Sequence, residues 1–232
     1  MKKYLYLFLC CLPLAIMNMS CSDDDENNKP DEPEEKPLWT PEEAVVPCPD
    51  GNHPHVIDLG LSVKWACTNV KAKTPTAEGE YYGWGELEGK FNYEWARYTH
   101  CNGTEDTCID LGDIAGTQYD AAKKVMGDKW RMPTFAQAKE LIEKCTKKWS
   151  IIGEVKGWMM TGPSGKSIFL PAYGVRYSTY VENKNRDCHY WTSTPNQEKN
   201  SEAYNIHGEP ASIYYADYYN KYEGMQIRAV TD

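Results

Sequence analysis

Three stretches of this chain carry side chains of the types and spacings that do chemistry. The first is Gly162-Pro163-Ser164-Gly165-Lys166-Ser167, which ends like a phosphate-cradling loop. Such a loop needs a further glycine before its Gly-Lys-Ser end, so that successive backbone N–H groups turn inward on the oxygens, and it must open a helix. Met160 stands where that glycine belongs, and the residues that follow, Ser-Ile-Phe-Leu-Pro, read as a strand. The stretch is therefore expected to be a hairpin turn, and no nucleotide ligand is expected. The second is His53-Pro54-His55 with Asp58, a set that could ligate a metal. It lies where a folded domain would begin, so its imidazoles read as solvent-exposed, and neither a metal nor any other cofactor is expected. The third is the set Cys48, Cys67, Cys101, Cys108, Cys145 and Cys188. None has the Cys-x-x-Cys spacing typical of zinc, so an even set in an exported chain argues for disulfides, with fifteen connectivities open. Cys101 and Cys108 bracket a polar loop that they could close locally. The other four are candidates without an assigned partner.

No Gly-x-Ser-x-Gly or His-Glu-x-x-His occurs, so no catalytic motif marks the chain as an enzyme. Acids are plentiful, but a linear order does not pair two carboxylates across a glycosidic bond. Tyrosine stands out instead. Of the 17 in the chain, Tyr173, Tyr177, Tyr180, Tyr190, Tyr204, Tyr214, Tyr215, Tyr218, Tyr219 and Tyr222 fall in the last third, among Asn205, His207, Ser212, Asp217 and Asn220. Tyrosine offers a large rigid face with a polar tip, and with Ser and Asn it makes adaptable binding surfaces. About half of these rings are expected to pack in the core. The "YYADYYNKY" run has two adjacent pairs and cannot bury every ring on one face, so some must meet solvent. The expected ligand-binding residues are Tyr177, Trp191, Tyr204, His207, Tyr214, Tyr215, Asp217, Tyr218, Tyr219 and Tyr222.

The elements that would position them are short strands and two helices. "HVIDLGLSVKWACTNV" alternates as a strand does, and "GEYYGWGE" reads as another, rich in aromatics. "QYDAAKKVMGD" predicts a short helix with Asp120 as cap and Gly127 at its end. "WRMPTFAQAKELIEKC" predicts a second, with Thr134 and Gln137 forming a capping box and Ala138, Leu141, Ile142 and Cys145 on one face. Brief glycine-punctuated strands follow Trp149. Helices confined to the first half and strands thereafter indicate an α+β fold.

The N-terminus reads as an address. Lys2, Lys3 and the apolar run to Met17 form a secretory signal peptide over residues 1–20, too short for a permanent span. Cys21, preceded by Ser20, resembles the lipidated cysteine of bacterial lipoproteins. The acids Asp23, Asp24, Asp25 and Glu26 look like the export tag of Bacteroidetes lipoproteins carried to the outer face of the outer membrane. Residues 21–46 are expected to be a lipidated, acidic tether and 47–232 one domain. Residues 22–36 hold eight acids against two lysines, so the tether holds much of the formal charge of −9. With no basic stripe to neutralise phosphates, no nucleic-acid partner is expected. A self-repelling stalk, a membrane held through the lipid, and an extracellular glycan or protein partner are expected instead.

Six blocks carry a further resemblance: "VIDLGLSVKWACTNV", "YYGWGELEGKFNYEWARYTHCNG", "DKWRMPTFAQAKELIEKCT", "GKSIFLPAYGVR", "YWTSTP" and "GMQIRAV". In this order they are similar to the Fibrobacter succinogenes major paralogous domain of Bacteroidetes lipoproteins, over nearly all of residues 55–230. The resemblance implies a C-type-lectin-like fold and a non-catalytic display protein. The family usually has Ala-Thr-Cys-Asn where this chain has Ala66-Cys67-Thr68-Asn69, a shift that turns the sulfur to the opposite face of a strand. Calcium-binding lectins of this fold use an acid-Pro-amide motif. Glu209-Pro210-Ala211 lacks the amide, so calcium is not implied.

Overall fold

A computed structural model describes residues 40–232. The expected signal peptide, Cys21 and most of the tether lie outside the described residues. The strands and helices in order are β1 (Glu42–Glu43), β2 (Val56–Ile57), β3 (Lys64–Ala66), α1 (Ala121–Met126), α2 (Phe135–Lys144), β4 (Thr146–Ile152), β5 (Val155–Thr161), β6 (Ser167–Pro171), β7 (Val175–Tyr177), β8 (Tyr180–Glu182), β9 (Cys188–Pro195), β10 (Glu202–Glu209), β11 (Ser212–Asn220) and β12 (Val230–Thr231). They make a sheet β1-β4-β5-β6, a sheet β11-β10-β9, a small sheet β12-β3-β2 and the hairpin β7-β8. Strands far outweigh helices among the described residues, as in an α+β or mostly-β fold. Among the described residues no helix is long and apolar enough to cross a membrane.

Local sequence accounts for both helices. Asp120 caps α1 by accepting from the N–H groups of Ala122 and Lys123, and Gly127 ends it at a φ of 96°. The Asp120 carboxylate, itself buried, also accepts from Gly116 and Met132, so one side chain ties the helix start to the strand-like Trp130–Pro133 segment. Thr134 and Gln137 close a capping box on α2, whose buried Ala138, Leu141 and Ile142 face the core. The Gly162–Gly165 stretch is the turn between β5 and β6, pairing Thr161 with Ser167, and it leads into a strand rather than a helix.

Three expectations change. Glu42 and Glu43, placed in the tether, pair in parallel with Ser150 and Ile151, and Glu42 meets Lys148 at 3.1 Å. The folded head therefore starts upstream of residue 47. "GEYYGWGE" forms no strand: Tyr82 and Trp84 are fully buried, and long-range bonds such as Tyr82 N–H to Met225 hold the segment. The alternation there came from aromatics packing inward along an irregular path. Of the six candidate cysteines, Cys101 and Cys108 form the expected disulfide. Cys48, Cys67, Cys145 and Cys188 are free thiols, all buried.

The core falls into two main clusters, one under α2 around Trp65, Met160 and Leu170, the other around Trp84, Trp130 and Trp191. Between them sits Arg228, fully buried. Its Nε and Nη2 donate to Asn69 Oδ1 at 2.9 and 2.6 Å, Nη1 to the carbonyls of Ala66 and Cys67, and Nη2 to that of Phe169 at 2.8 Å. A guanidinium has five N–H donors, and here they make five bonds, all to neutral oxygens. Burial pulls its pKa below the ordinary value, and the Tyr190 ring, 5.9 Å away, opposes that pull. Replacing Arg228 with Lys leaves buried carbonyls without donors, because an ammonium has three donors and no fork. Urea unfolding of the purified protein, followed by tryptophan fluorescence, should show Arg228→Lys destabilised by about 3 kcal/mol or more. An unchanged midpoint would overturn the role given to the guanidinium.

Candidate ligand-binding surface

The sheet β11-β10-β9 distributes the late tyrosines. Register pairs Tyr204 with Tyr218, Asn205 with Asp217, and His207 with Tyr214 and His189. Paired residues in a sheet share a face, so two faces follow. One carries Tyr204, Ile206, Tyr215 and Tyr218 toward α2, where Phe135 meets Tyr204 and Tyr215 at ring distances of 4.6 and 5.7 Å. The other carries His189, Trp191, Asn205, His207, Tyr214, Asp217 and Tyr219. A bulge between Asn205 and His207, opposite Tyr214–Asp217, puts Tyr214 on the same face as Asp217, three residues on.

On this second face the polar groups converge. His207 Nδ1 lies 2.7 Å from Asp217 Oδ2, and the His207 ring stacks on His189 at 4.2 Å with 17° between planes. Tyr219 lies edge-on to His189 at 5.0 Å, and Tyr214 stands 6.2 Å from His207. Tyr214 is 45 % exposed. Burial pushes the Asp217 carboxyl up, but the His207 hydrogen bond and charge outweigh that and leave it below the ordinary value, a carboxylate at neutral pH. Burial, aided by His207, lowers His189 to about 3, so that imidazole stays neutral. Under this face His189 Nδ1 and both amide atoms of Asn205 are buried with no protein partner, leaving polar bonding capacity that the chain itself does not use. The fields of Asp217, Glu223, Asp187 and Glu182 all reach Tyr219, whose phenol burial raises to about 12. Glu223 is itself buried and raised to about 7, mainly by desolvation.

The expected residues thus separate. His207, Tyr214, Asp217 and Tyr219 come together. Tyr204, Tyr215 and Tyr218 lie on the opposite face, Tyr218 at 50 % exposure. Tyr177 and Tyr222 meet at 5.9 Å beside Tyr180, a late tyrosine that was not among the expected binding residues. Tyr222 is buried, while Tyr177 and Tyr180 are exposed. Trp191 is a correction: it is fully buried and donates its indole N–H to Tyr82 O at 2.8 Å, a core anchor that meets no ligand. His189 was missed because a histidine between Cys188 and Tyr190 in a strand carries no distance to His207. Asp187, His189 and His207 also approach one another closely enough for a metal. Near-parallel stacked imidazoles hold their lone pairs in separate planes, and Asp217 already engages His207 Nδ1, so the trio reads as a packed network.

A cleft of about 670 Å³ lies among Lys71, Glu78, Glu80, Tyr81, Lys90 and Arg176. Its charges satisfy one another: Lys71 pairs with Glu80, Lys90 with Glu86, and Arg176 sits over the Tyr81 ring. In comparisons with known proteins, no family model matches the chain, and neither does any curated protein or solved structure.

The two buried titrating groups make opposed pH dependences. Between about 3 and 6.5 the unfolded chain protonates His189 and the folded chain does not, so acidification through that window costs stability. Between 4.5 and about 7 the folded chain holds a proton on Glu223 that the unfolded chain has lost, so raising the pH through that window costs stability. Each slope is at most about 1.4 kcal/mol per pH unit. Urea unfolding from pH 4 to 8 should show His189→Gln gaining on the wild type as pH falls. Glu223→Gln should gain as pH rises. Parallel curves for either variant would contradict the assigned burial.

Proposed function

We propose that this chain is a lipid-anchored, outward-facing outer-membrane protein whose C-type-lectin-like head binds an extracellular glycan or protein without catalysis. Its resemblance to the Fibrobacter succinogenes major paralogous domain and the lipoprotein-like start at Cys21 support the display role. The observation that carries the binding reading is Tyr214, an exposed ring beside an ionised Asp217 and the His207 imidazole. A flat aromatic face takes the apolar side of a sugar or a side chain, and the carboxylate and imidazole take hydroxyl or amide hydrogens at its rim.

The open edge of β11 favours a second reading, a subunit of a surface assembly. β11 is an outer strand in its sheet and offers backbone groups to a neighbouring chain. A glycan and protein array probed with the purified protein separates the two. Under the binding reading a hit appears. Tyr214→Ala or Asp217→Asn weakens it at least about tenfold, the loss of roughly 1.4 kcal/mol. Tyr218→Ala, exposed on the opposite face, leaves it intact. A hit lost with Tyr218→Ala and kept with Tyr214→Ala would move the site to the other face. Concentration-dependent oligomers in light scattering with no array hit would favour assembly, and turnover of an arrayed glycan would favour an enzyme.

A further inference from the structure

The fold gathers four ligand-type side chains from the stretch between residues 48 and 67. Cys48, His53, His55 and Cys67 each present one ligand atom, and all four atoms lie within 4.8 Å of one another. His55 Nδ1 is 2.9 Å from Cys48 Sγ, and His53 Nδ1 is 3.2 Å from Cys67 Sγ. Both thiols are buried and the two imidazoles are half-buried. We propose that these residues form a structural zinc site of the two-thiolate, two-imidazole type, which fastens the segment between β1 and β2 onto the end of β3.

The geometry suits the ion. Zinc takes four ligands tetrahedrally, with Zn–S of about 2.3 Å and Zn–N of about 2.0–2.1 Å, so neighbouring ligand atoms lie roughly 3.3–3.8 Å apart. A zinc-bound nitrogen–sulfur pair lies about 3.5 Å apart in that geometry, and the two contacts fall about 0.6 and 0.3 Å short of it, so binding the ion moves these side chains outward. Two thiolates balance the double positive charge. The assembled site is then neutral, as a partly buried position requires. Each thiol gives up its proton to solvent as the Zn–S bond forms, and no electrons are transferred.

The surroundings already hold the Cys67 sulfur in place. His55 N–H donates to Cys67 Sγ at 3.0 Å, and Cys67 N–H donates to the His55 carbonyl at 3.0 Å, so the two ligand-bearing strands are locked in register. Arg228 donates to the Cys67 carbonyl at 3.0 Å, which fixes the backbone that carries the sulfur and places a positive charge nearby. Backbone donors of this kind orient ligands and tune their charge in metal centres. A cleft lined by His53, Pro54, Asn69, Lys71 and Trp130 opens beside the cluster and gives the ion a route in. Four protein ligands leave no open position, which makes the site structural rather than catalytic.

Cobalt reports the coordination directly. Added to the purified, reduced protein, Co2+ should bind at one equivalent with the intense visible absorption of a tetrahedral ion and a sulfur-to-metal charge-transfer band. Zn2+ should abolish both and raise the unfolding midpoint. Cys48→Ser and Cys67→Ser should remove the charge-transfer intensity stepwise. His53→Ala, whose side chain is at the rim of the cluster, should weaken binding while the apo protein keeps the wild-type urea midpoint. That variant tests the site even where a cysteine variant fails to fold. Pale octahedral absorption, a spectrum unchanged by His53→Ala, or a midpoint indifferent to zinc would overturn the proposal. So would protein recovered without reductant in which peptide mapping shows Cys48 joined to Cys67, since that bond consumes both sulfur ligands.

Discussion

A cationic side chain with no counter-ion holds this fold in one arrangement. Arg228 sits between the two halves of the core, and its five N–H groups reach the end of β3, the loop at Asn69 and the β6 strand at Phe169. Neither β3, three residues long, nor the turn that Asn69 opens has enough regular hydrogen bonding to place itself against β6. Burying a guanidinium is costly unless every donor finds an acceptor, so only the one placement of all three segments is tolerated. Asn69 extends the network by bonding Gln226, which lies near the start of the C-terminal segment. The C-terminal run, irregular by backbone, is thereby fixed as firmly as a strand.

From that frame the sheet β11-β10-β9 receives its orientation. Trp191 passes through it into the core and bonds the Tyr82 carbonyl, while Tyr190 on the other side bonds the Pro171 carbonyl. These anchors bury both faces of the sheet at its centre, including the face that carries Trp191. Toward β11 the burial weakens, so the same face emerges to solvent with His207, Asp217 and Tyr214 on it. The polar network there is graded: neutral His189 lies below, the His207–Asp217 pair is half-exposed, and the ring of Tyr214 is open. Such a gradient places fixed hydrogen-bonding groups under an accessible aromatic, the arrangement that favours selective over merely adhesive contact.

The chain's route into the head depends on the same arginine. Its bond to the Cys67 carbonyl positions the sulfur that meets His53 and His55, and β1 adds a second attachment along the edge of β4.

The sequence by itself determined what depends on neighbours a few residues apart. The capping box of α2, the Asp120 cap of α1, the glycine turn between β5 and β6, the late strands and the Cys101–Cys108 bridge were all legible, because each shows in the type and spacing of residues close in the chain. It also required some tyrosines of "YYADYYNKY" to meet solvent, but not which. Tyr214 and Tyr218 both do, and a bulge sets them on different faces, Tyr214 with Asp217 and Tyr218 opposite. "GEYYGWGE" looked like a strand, yet its aromatics are held by bonds to residues such as Met225 and Thr192, more than a hundred positions away. The spacing of Cys48, His53, His55 and Cys67 matches no short ligand motif, and only the pairing of β2 with β3 brings them together. Tertiary structure decided these points because burial and register act between segments that the linear order keeps apart.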